Sequence, residues 1–267
     1  MTTTPVGMRC PECASQRTKV VRVRQMAHAP RLTYALIAMN VIAFVAEGSS
    51  VFTFSGGGFG KLVIKGGLLG SSEDPALAGQ GVAHAQYYRI ITSGFLHENL
   101  LHIAFNMWVL YYLGKLLEPA IGELRFGLIY AVALLCGSLG ALLVSPHVLT
   151  VGASGAIFGL MGAAAVEMRA RQIPIMQSGI GALILINLVI SFSLANISWG
   201  GHVGGLIGGA LAALALRAGE ARRSPILGTV ACVAIGVFAI GGSIATSHAS
   251  LVEPAGALPS SLSGSEP

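Results

Sequence analysis

Two residues of the chain, Ser154 and His202, are of the types that form a nucleophile and its general base. Ser154 lies in the glycine-rich segment 151–162, and His202 lies between two glycine pairs in the segment 200–205. Both segments are apolar enough to lie in a bilayer, where a polar side chain is costly and usually functional. Because a histidine can activate a serine by taking its proton, the pair predicts hydrolysis by a serine–histidine dyad within the membrane.

The composition is that of a membrane protein. Of the 267 residues, 54% are hydrophobic and only 10% are charged, whereas soluble domains carry roughly 25% charged residues. The mean hydropathy is +0.74. In a soluble protein the net charge of +5 would suggest a nucleic-acid partner. Here the basic residues fall in short segments between apolar runs, which membrane orientation explains better, so we expect the lipid bilayer and no nucleic acid.

Seven apolar runs predict an all-α, polytopic membrane bundle, because each is near the ~20 residues that a bilayer requires. Of the 16 Lys and Arg residues, all but Lys61, Lys65 and Arg89 fall on one predicted side of the membrane. Positive residues favour the cytoplasmic side, which predicts a cytoplasmic N-terminus and an extracytoplasmic C-terminus. The approximate ranges of the runs are 32–47, 98–117, 124–145, 151–168, 176–195, 198–217 and 224–246.

The same pattern divides the chain into four parts. Residues 1–31 form a cytoplasmic tail, 32–217 a six-helix core, 218–246 a linker with a seventh helix, and 247–267 an extracytoplasmic tail. The last tail is rich in Ser, Pro and Gly, which predicts disorder. The first apolar run follows a basic tail, so we interpret it as a retained span and not as a cleaved signal peptide. The abundance of glycine and alanine suggests a GC-rich bacterial genome, and hence the plasma membrane.

Cys10 and Cys13 form a C-x-x-C pair in the N-terminal tail, which is half of a zinc-binding pattern. A closed structural zinc site needs four ligands, and the sequence offers no second C-x-x-C pair. We therefore expect no cofactor; Cys10 and Cys13 are weak candidates for a metal site, with His28 as a possible third ligand.

His102 and Asn106 complete a group of polar residues at one predicted depth. The second, fourth and sixth runs all cross from outside to inside in the predicted topology, and His102, Asn106, Ser154 and His202 lie in their outer halves. His102 and Asn106 are four residues apart, so they share a helix face. The backbone N–H of Ser154 lies in the first turn of a helix, where such groups are unpaired. These donors predict an oxyanion hole made of His102, Asn106 and Ser154.

No acidic residue is placed to complete a catalytic triad. The single aspartate, Asp74, lies in the long loop after the first run, and the glutamates near the core lie at the ends of runs. We therefore predict a dyad in which packing against Phe158, one helical turn after Ser154, orients the imidazole of His202.

Glycines are predicted to bring the fourth and sixth runs together. Gly152 and Gly155 lie in the fourth run, and Gly205 and Gly209 lie in the sixth. Small residues at such spacings let helix backbones approach closely. Taken singly, each feature has another explanation, because a membrane serine often bonds to its own helix and a glycine face shows only close packing. The shared depth and the order along the chain favour the catalytic interpretation.

The order and spacing of these residues resemble the rhomboid family of intramembrane serine proteases. The resemblance covers residues 32–217, and the seventh run matches a six-plus-one layout. It departs from the family at Tyr88-Arg89, where Trp-Arg is frequent, and at Phe158, where tyrosine is frequent. Its most specific positions are His102 and Asn106, the run 152–155 around Ser154, and His202 followed by Gly205 and Gly209.

The resemblance implies both a fold and a function. It implies a six-helix core with a water-filled cavity that opens to the outside, and hydrolysis of peptide bonds in or near transmembrane segments of other proteins. It also implies that Ser154 is the nucleophile, that His202 is the general base, and that His97 is an accessory residue near the mouth of the cavity. The long outer loop would lie on the membrane.

Two other classes of function are alternatives. A catalytically inactive rhomboid-like protein would bind membrane clients without cleaving them, but such relatives typically lack the serine or the histidine, and both are present here. A transporter would use internal repeats and broken helices around a midplane site, and the sequence shows no clear repeat of halves. We therefore predict a protease.

Overall fold

The structure, a computed structural model, describes residues 2–4, 7–9, 29–48, 60–72, 74–193 and 198–251. In these parts the chain is a helical bundle, which confirms the predicted all-α membrane fold class. Two short strands, β1 (Thr2–Thr4) and β2 (Gly7–Arg9), pair antiparallel in the N-terminal tail, where the sequence predicted none. Cys10, Cys13 and His28 lie outside the described residues.

Every predicted apolar run corresponds to one helix of the described chain, and two further short helices lie in the long loop. Four helices are long and apolar enough, by length and composition, to cross a membrane, and they are α4, α5, α8 and α9. Helices α1 and α6 have 17 residues each and α7 has 14, so these three are shorter. The helices are α1 (Arg31–Glu47), α2 (Lys61–Gly66), α3 (Arg89–Thr92), α4 (Leu100–Ile121), α5 (Glu123–Val144), α6 (Ser154–Ala170), α7 (Ile180–Ser193), α8 (Trp199–Ala221) and α9 (Pro225–Ala249).

Polar caps and one glycine set the ends of the helices that carry the candidate site. The side chain of Asn99 accepts a hydrogen bond from the backbone N–H of His102 at 2.8 Å and so caps α4. Ser198 caps α8 in the same way, accepting from the N–H of Gly201 at 3.3 Å. Gly122, with φ +89°, separates α4 from α5 in a backbone conformation that favours glycine.

Two buried charged side chains hold the long loop and the first helix in place. Arg89, fully buried, donates to the carbonyl oxygens of Ile64 at 3.0 Å and Gly67 at 2.7 Å. Glu118 of α4 accepts from the backbone N–H groups of Leu32 and Thr33 at 2.9 and 2.8 Å, where a carboxylate also complements the positive end of α1. Arg89 therefore links two parts of the long loop by hydrogen bonds, and Glu118 links α1 to α4.

Helix α8 is the centre of the bundle, and it contacts α5, α6, α7 and α9. On one side, Gly205 and Gly209 lie against the backbone of Gly155 and Gly159 in α6. Because no side chain stands between the helices, their backbones come into direct contact. A second row, on a neighbouring face of α8, lies against α5, and the sequence pattern did not predict it. It consists of Gly200, Gly204 and Gly208.

Replacing Gly205 by alanine is expected to destabilise the protein, because a Cβ atom there would overlap the backbone carbonyl oxygen of Gly155. Overpacking of this kind lowers the free energy of unfolding by about 1–3 kcal/mol. The matched control is Gly241→Ala in α9, where a Cβ atom would meet nothing within 4 Å. Thermal unfolding in detergent compares the two variants, and equal Tm values would contradict the close contact between α6 and α8.

Candidate active site

Ser154 and His202 lie at the same end of the bundle and are hydrogen-bonded to each other. Ser154 is the first residue of α6, and His202 lies in the first turn of α8. The distance between Ser154 Oγ and His202 Nε2 is 2.7 Å. His202 is 8% exposed, so the bond is largely shielded from solvent. The two helices that the glycine contacts bring together are thus the two that carry the pair.

Two contacts fix the orientation of the His202 imidazole. The ring of Phe158 stacks on it with a centroid separation of 4.2 Å and an interplanar angle of 13°. On the other edge of the imidazole, Nδ1 lies 2.5 Å from the hydroxyl oxygen of Ser191 in α7. The sequence predicts the contact with Phe158 but not the one with Ser191, because nothing in an apolar run shows which of its serines faces a neighbouring helix.

Gly152 lies beside the pair and has a different role from the one that the sequence predicted. It was expected to contact a neighbouring helix, but it precedes α6 and has φ +127°. A Cβ atom at Gly152 would lie 2.8 Å from His102 Nε2 and 3.7 Å from Ser154 Oγ. A side chain here would therefore fill the space between His102 and Ser154, so this position requires glycine for room as well as for its backbone conformation.

Asn106 lies one helical turn after His102 on α4. Its side chain is 4% exposed, and its amide nitrogen has no hydrogen-bond partner among the residues that the structure describes. A buried amide N–H without a partner is costly, and this makes Asn106 a donor available to a bound group. His102 in turn lies 3.5 Å from the carboxylate of Glu98 through its Nδ1 atom.

His97 lies in the loop before α4 and packs against His102. The two rings meet edge to face with a centroid separation of 5.0 Å. His97 is 1% exposed, and neither of its ring nitrogens has a partner within the described part of the chain. Burial, with a smaller contribution from His102, lowers the pKa of His97 well below its usual value. Burial therefore favours the neutral form of His97.

Asp74 has a structural role in the long loop. Its carboxylate accepts a hydrogen bond from the backbone N–H of Ala76 at 2.8 Å and caps the 3₁₀ turn Pro75–Leu77. For the described residues, no group of three or more His, Cys, Asp or Glu side chains is arranged to hold a metal ion.

The family model of the Rhomboid domain matches residues 84–219, about half of the chain. The chain belongs to the rhomboid family.

Several rhomboid proteins resemble the chain in sequence. Rhomboid protease GluP of Bacillus subtilis (strain 168) is 34% identical over 190 residues, which cover 70% of this chain and 35% of that protein. RHOMBOID-like protein 7 of Arabidopsis thaliana is 33% identical over 154 residues, covering 54% and 49%. Rhomboid-like protease 1 of Toxoplasma gondii is 34% identical over 143 residues, covering 51% and 47%. The chain thus spans between about a third and a half of the length of these relatives.

The matched rhomboid residues include the whole candidate site. They begin before α3 and end within α8, so they contain Ser154, His202, His102, Asn106 and His97. Helices α1 and α9 lie outside the match. The part of the bundle that is shared with the family is therefore the part that brings the polar side chains together.

Proposed function

We propose that the chain is a serine endopeptidase that hydrolyses peptide bonds in or near the transmembrane segments of other membrane proteins. The observation that carries this proposal is the 2.7 Å hydrogen bond between Ser154 Oγ and His202 Nε2 at one end of a membrane bundle. The names of GluP and of the Toxoplasma relative, both called proteases, support the same class of reaction.

In the first half of the reaction, Ser154 Oγ attacks the carbonyl carbon of the scissile bond while His202 Nε2 takes the hydroxyl proton. The carbonyl oxygen becomes an oxyanion. Three donors are proposed to stabilise it, namely the backbone N–H of Ser154, the amide of Asn106 and the imidazole of His102. His202 then gives its proton to the leaving amine, and an acyl-enzyme on Ser154 remains.

In the second half, a water molecule replaces the amine. His202 Nε2 takes a proton from the water, which attacks the acyl carbon, and the same donors stabilise the second oxyanion. The proton then returns to Ser154 Oγ as the carboxylic acid product leaves. No metal or other cofactor takes part in this scheme, and residues of the chain supply each proton transfer.

The site is proposed to open on the extracytoplasmic side of the plasma membrane. Ser154 and His202 lie at the N-terminal ends of α6 and α8, and the arginines lie at the C-terminal ends of the same helices. There Arg217 pairs with Glu167 at 3.1 Å, and Arg125 pairs with Glu220. Because positive residues favour the cytoplasm, the end of the bundle that carries these arginines is proposed to face the cytoplasm. The N-terminus of the chain lies on the same side.

An inactive, client-binding rhomboid protein is the alternative, and labelling with a fluorophosphonate probe distinguishes the two. The probe reacts with activated serines, so folded wild-type protein is expected to be labelled. His202→Ala is expected to slow labelling by about 10²–10⁴-fold, which is the usual contribution of a general base. His248→Ala, which changes an exposed histidine at the end of α9, is the matched control and should label like wild type.

The result that would contradict the proposal is equally defined. If folded wild-type protein remains unlabelled both in detergent and in liposomes, the serine is not activated and the client-binding alternative holds. If wild type and His202→Ala are labelled at the same rate, His202 is not the base.

A further inference from the structure

We propose that Ser191 is a positioning residue that fixes the tautomer of His202, an inference that rests on the dyad function proposed above. Ser191 belongs to α7, and the sequence pattern assigned it no part in the chemistry. Its side chain is 2% exposed, and its hydroxyl oxygen lies 2.5 Å from His202 Nδ1.

The direction of this hydrogen bond follows from a count of protons. The hydroxyl of Ser191 also lies 2.6 Å from the backbone carbonyl oxygen of Asn187. A carbonyl can only accept, so the single hydroxyl proton of Ser191 is donated to Asn187. The oxygen of Ser191 must then accept from His202, and Nδ1 of His202 carries a proton.

A proton on Nδ1 determines the state of the other ring nitrogen. In a neutral imidazole one nitrogen is a donor and the other is an acceptor. With Nδ1 protonated, Nε2 has a free lone pair, and Nε2 is the atom that lies 2.7 Å from Ser154 Oγ. Ser154 can therefore donate its proton to His202 without any rearrangement, which is the state that nucleophilic attack requires.

Without the hydroxyl of Ser191, the tautomer of His202 with its proton on Nε2 would become more populated. The N–H at Nδ1 would be buried without a partner, which carries a desolvation cost. The ring would then place its proton on Nε2, pointing at Ser154, and could not act as the base. The stacked ring of Phe158 holds the plane of the imidazole but offers no hydrogen bond that distinguishes its two nitrogens.

The bond also links the dyad to the position of α7. The outward face of α7 is exposed, with Leu185, Ile186 and Val189 each more than half exposed. Among the described residues, the Ser191–His202 contact is the only hydrogen bond between α7 and another helix. A displacement of α7 that breaks this bond therefore removes the group that keeps the proton of His202 on Nδ1. The dyad then has its catalytic tautomer only while α7 stays packed against α8.

Three variants test the proposal. Ser191→Ala removes the acceptor, Ser191→Thr keeps a hydroxyl, and Ser193→Ala removes an exposed hydroxyl from the same helix as a control. In the transition state His202 is charged, and a hydrogen bond to a charged group corresponds to about 10–100-fold in rate. We expect Ser191→Ala to lower kcat by that factor with little change in KM, Ser191→Thr to recover most of the loss, and Ser193→Ala to match wild type.

A spectroscopic measurement separates positioning from a structural role. In ¹⁵N-histidine-labelled protein, the resonances of His202, assigned by their absence in His202→Ala, report which ring nitrogen carries the proton. Wild type and Ser191→Thr are expected to show the proton on Nδ1, and Ser191→Ala to shift it towards Nε2. An unchanged tautomer with an unchanged kcat in Ser191→Ala overturns the inference, as does a loss of activity that only follows a loss of folded protein.

Failure of this inference is distinguishable from failure of the proposed function. If wild-type protein does not react with the fluorophosphonate probe at all, the protease function fails, and the ¹⁵N spectrum still shows whether Nδ1 is protonated. If wild type reacts and Ser191→Ala reacts equally fast, the protease function stands and Ser191 has no positioning role.

Discussion

Replacing Ser154 by alanine is expected to abolish cleavage of a transmembrane substrate and to leave the thermal stability almost unchanged. The hydroxyl of Ser154 is the proposed nucleophile, and loss of a nucleophile of this kind lowers kcat by roughly 10⁶-fold in a serine protease. The structural cost is small, because the side chain makes one side-chain hydrogen bond, to His202, and such a bond contributes about 0.5–1.5 kcal/mol to stability.

The assay is cleavage of a transmembrane peptide by the purified protein in liposomes, with Tm measured on the same preparations. Ser193→Ala is a suitable comparison, because it removes an exposed hydroxyl near the same end of the bundle. Residual cleavage by Ser154→Ala at a tenth of the wild-type rate would remove Ser154 from the chemistry. A large drop in Tm would show that the serine is mainly structural.

The helices and the approach of Ser154 to His202 could be predicted because the determining signals are local. An apolar run of about the right length, preceded by a polar cap such as Ser198, defines a helix. The sixth predicted run, 198–217, differs from the observed helix Trp199–Ala221 by one residue at its start and four at its end. Glycines at four-residue spacing then predict which helices touch. These signals need only composition and period.

The role of Gly152 could not be predicted from such local signals. As part of a glycine-rich run it was indistinguishable from a residue in a packing face, because the first residue of a helix is the least reliable feature of a prediction. Its position before α6 and its φ of +127° depend on how the preceding loop arrives. Its contact with His102 depends on α4, which is about fifty residues away in the sequence.

Ser191 illustrates a second limit. Ser191 and Ser193 stand two residues apart in the same apolar run, and both are compatible with a membrane helix. Only the rotation of α7 about its axis turns Ser191 towards His202 and leaves Ser193 exposed. That rotation is set by the packing of α7 on α6 and α8. The contact between Ser191 and His202 could therefore be found only from the three-dimensional structure.

Asn106→Ala is expected to lower kcat by about 10²–10³-fold, which is the usual effect of removing one oxyanion donor. The effect should be smaller than that of Ser154→Ala, because the backbone N–H of Ser154 and the imidazole of His102 remain. The same substitution should not destabilise the fold through lost hydrogen bonds. The amide nitrogen of Asn106 is buried and has no partner among the described residues, so its removal relieves an unsatisfied donor.

A catalytic donor is identified when its removal lowers kcat without lowering the stability of the fold. A residue that serves the fold loses stability and activity together, whereas a preorganised donor is unsatisfied in the resting protein and acts only on the transition state. Asn40→Ala is the matched control, since Asn40 is a buried asparagine of α1 whose side-chain nitrogen already donates to the carbonyl of Leu36 at 2.8 Å. We expect Asn40→Ala to change Tm more than kcat and Asn106→Ala to do the reverse. An unchanged kcat in Asn106→Ala, measured on folded protein in liposomes, would remove Asn106 from the oxyanion hole.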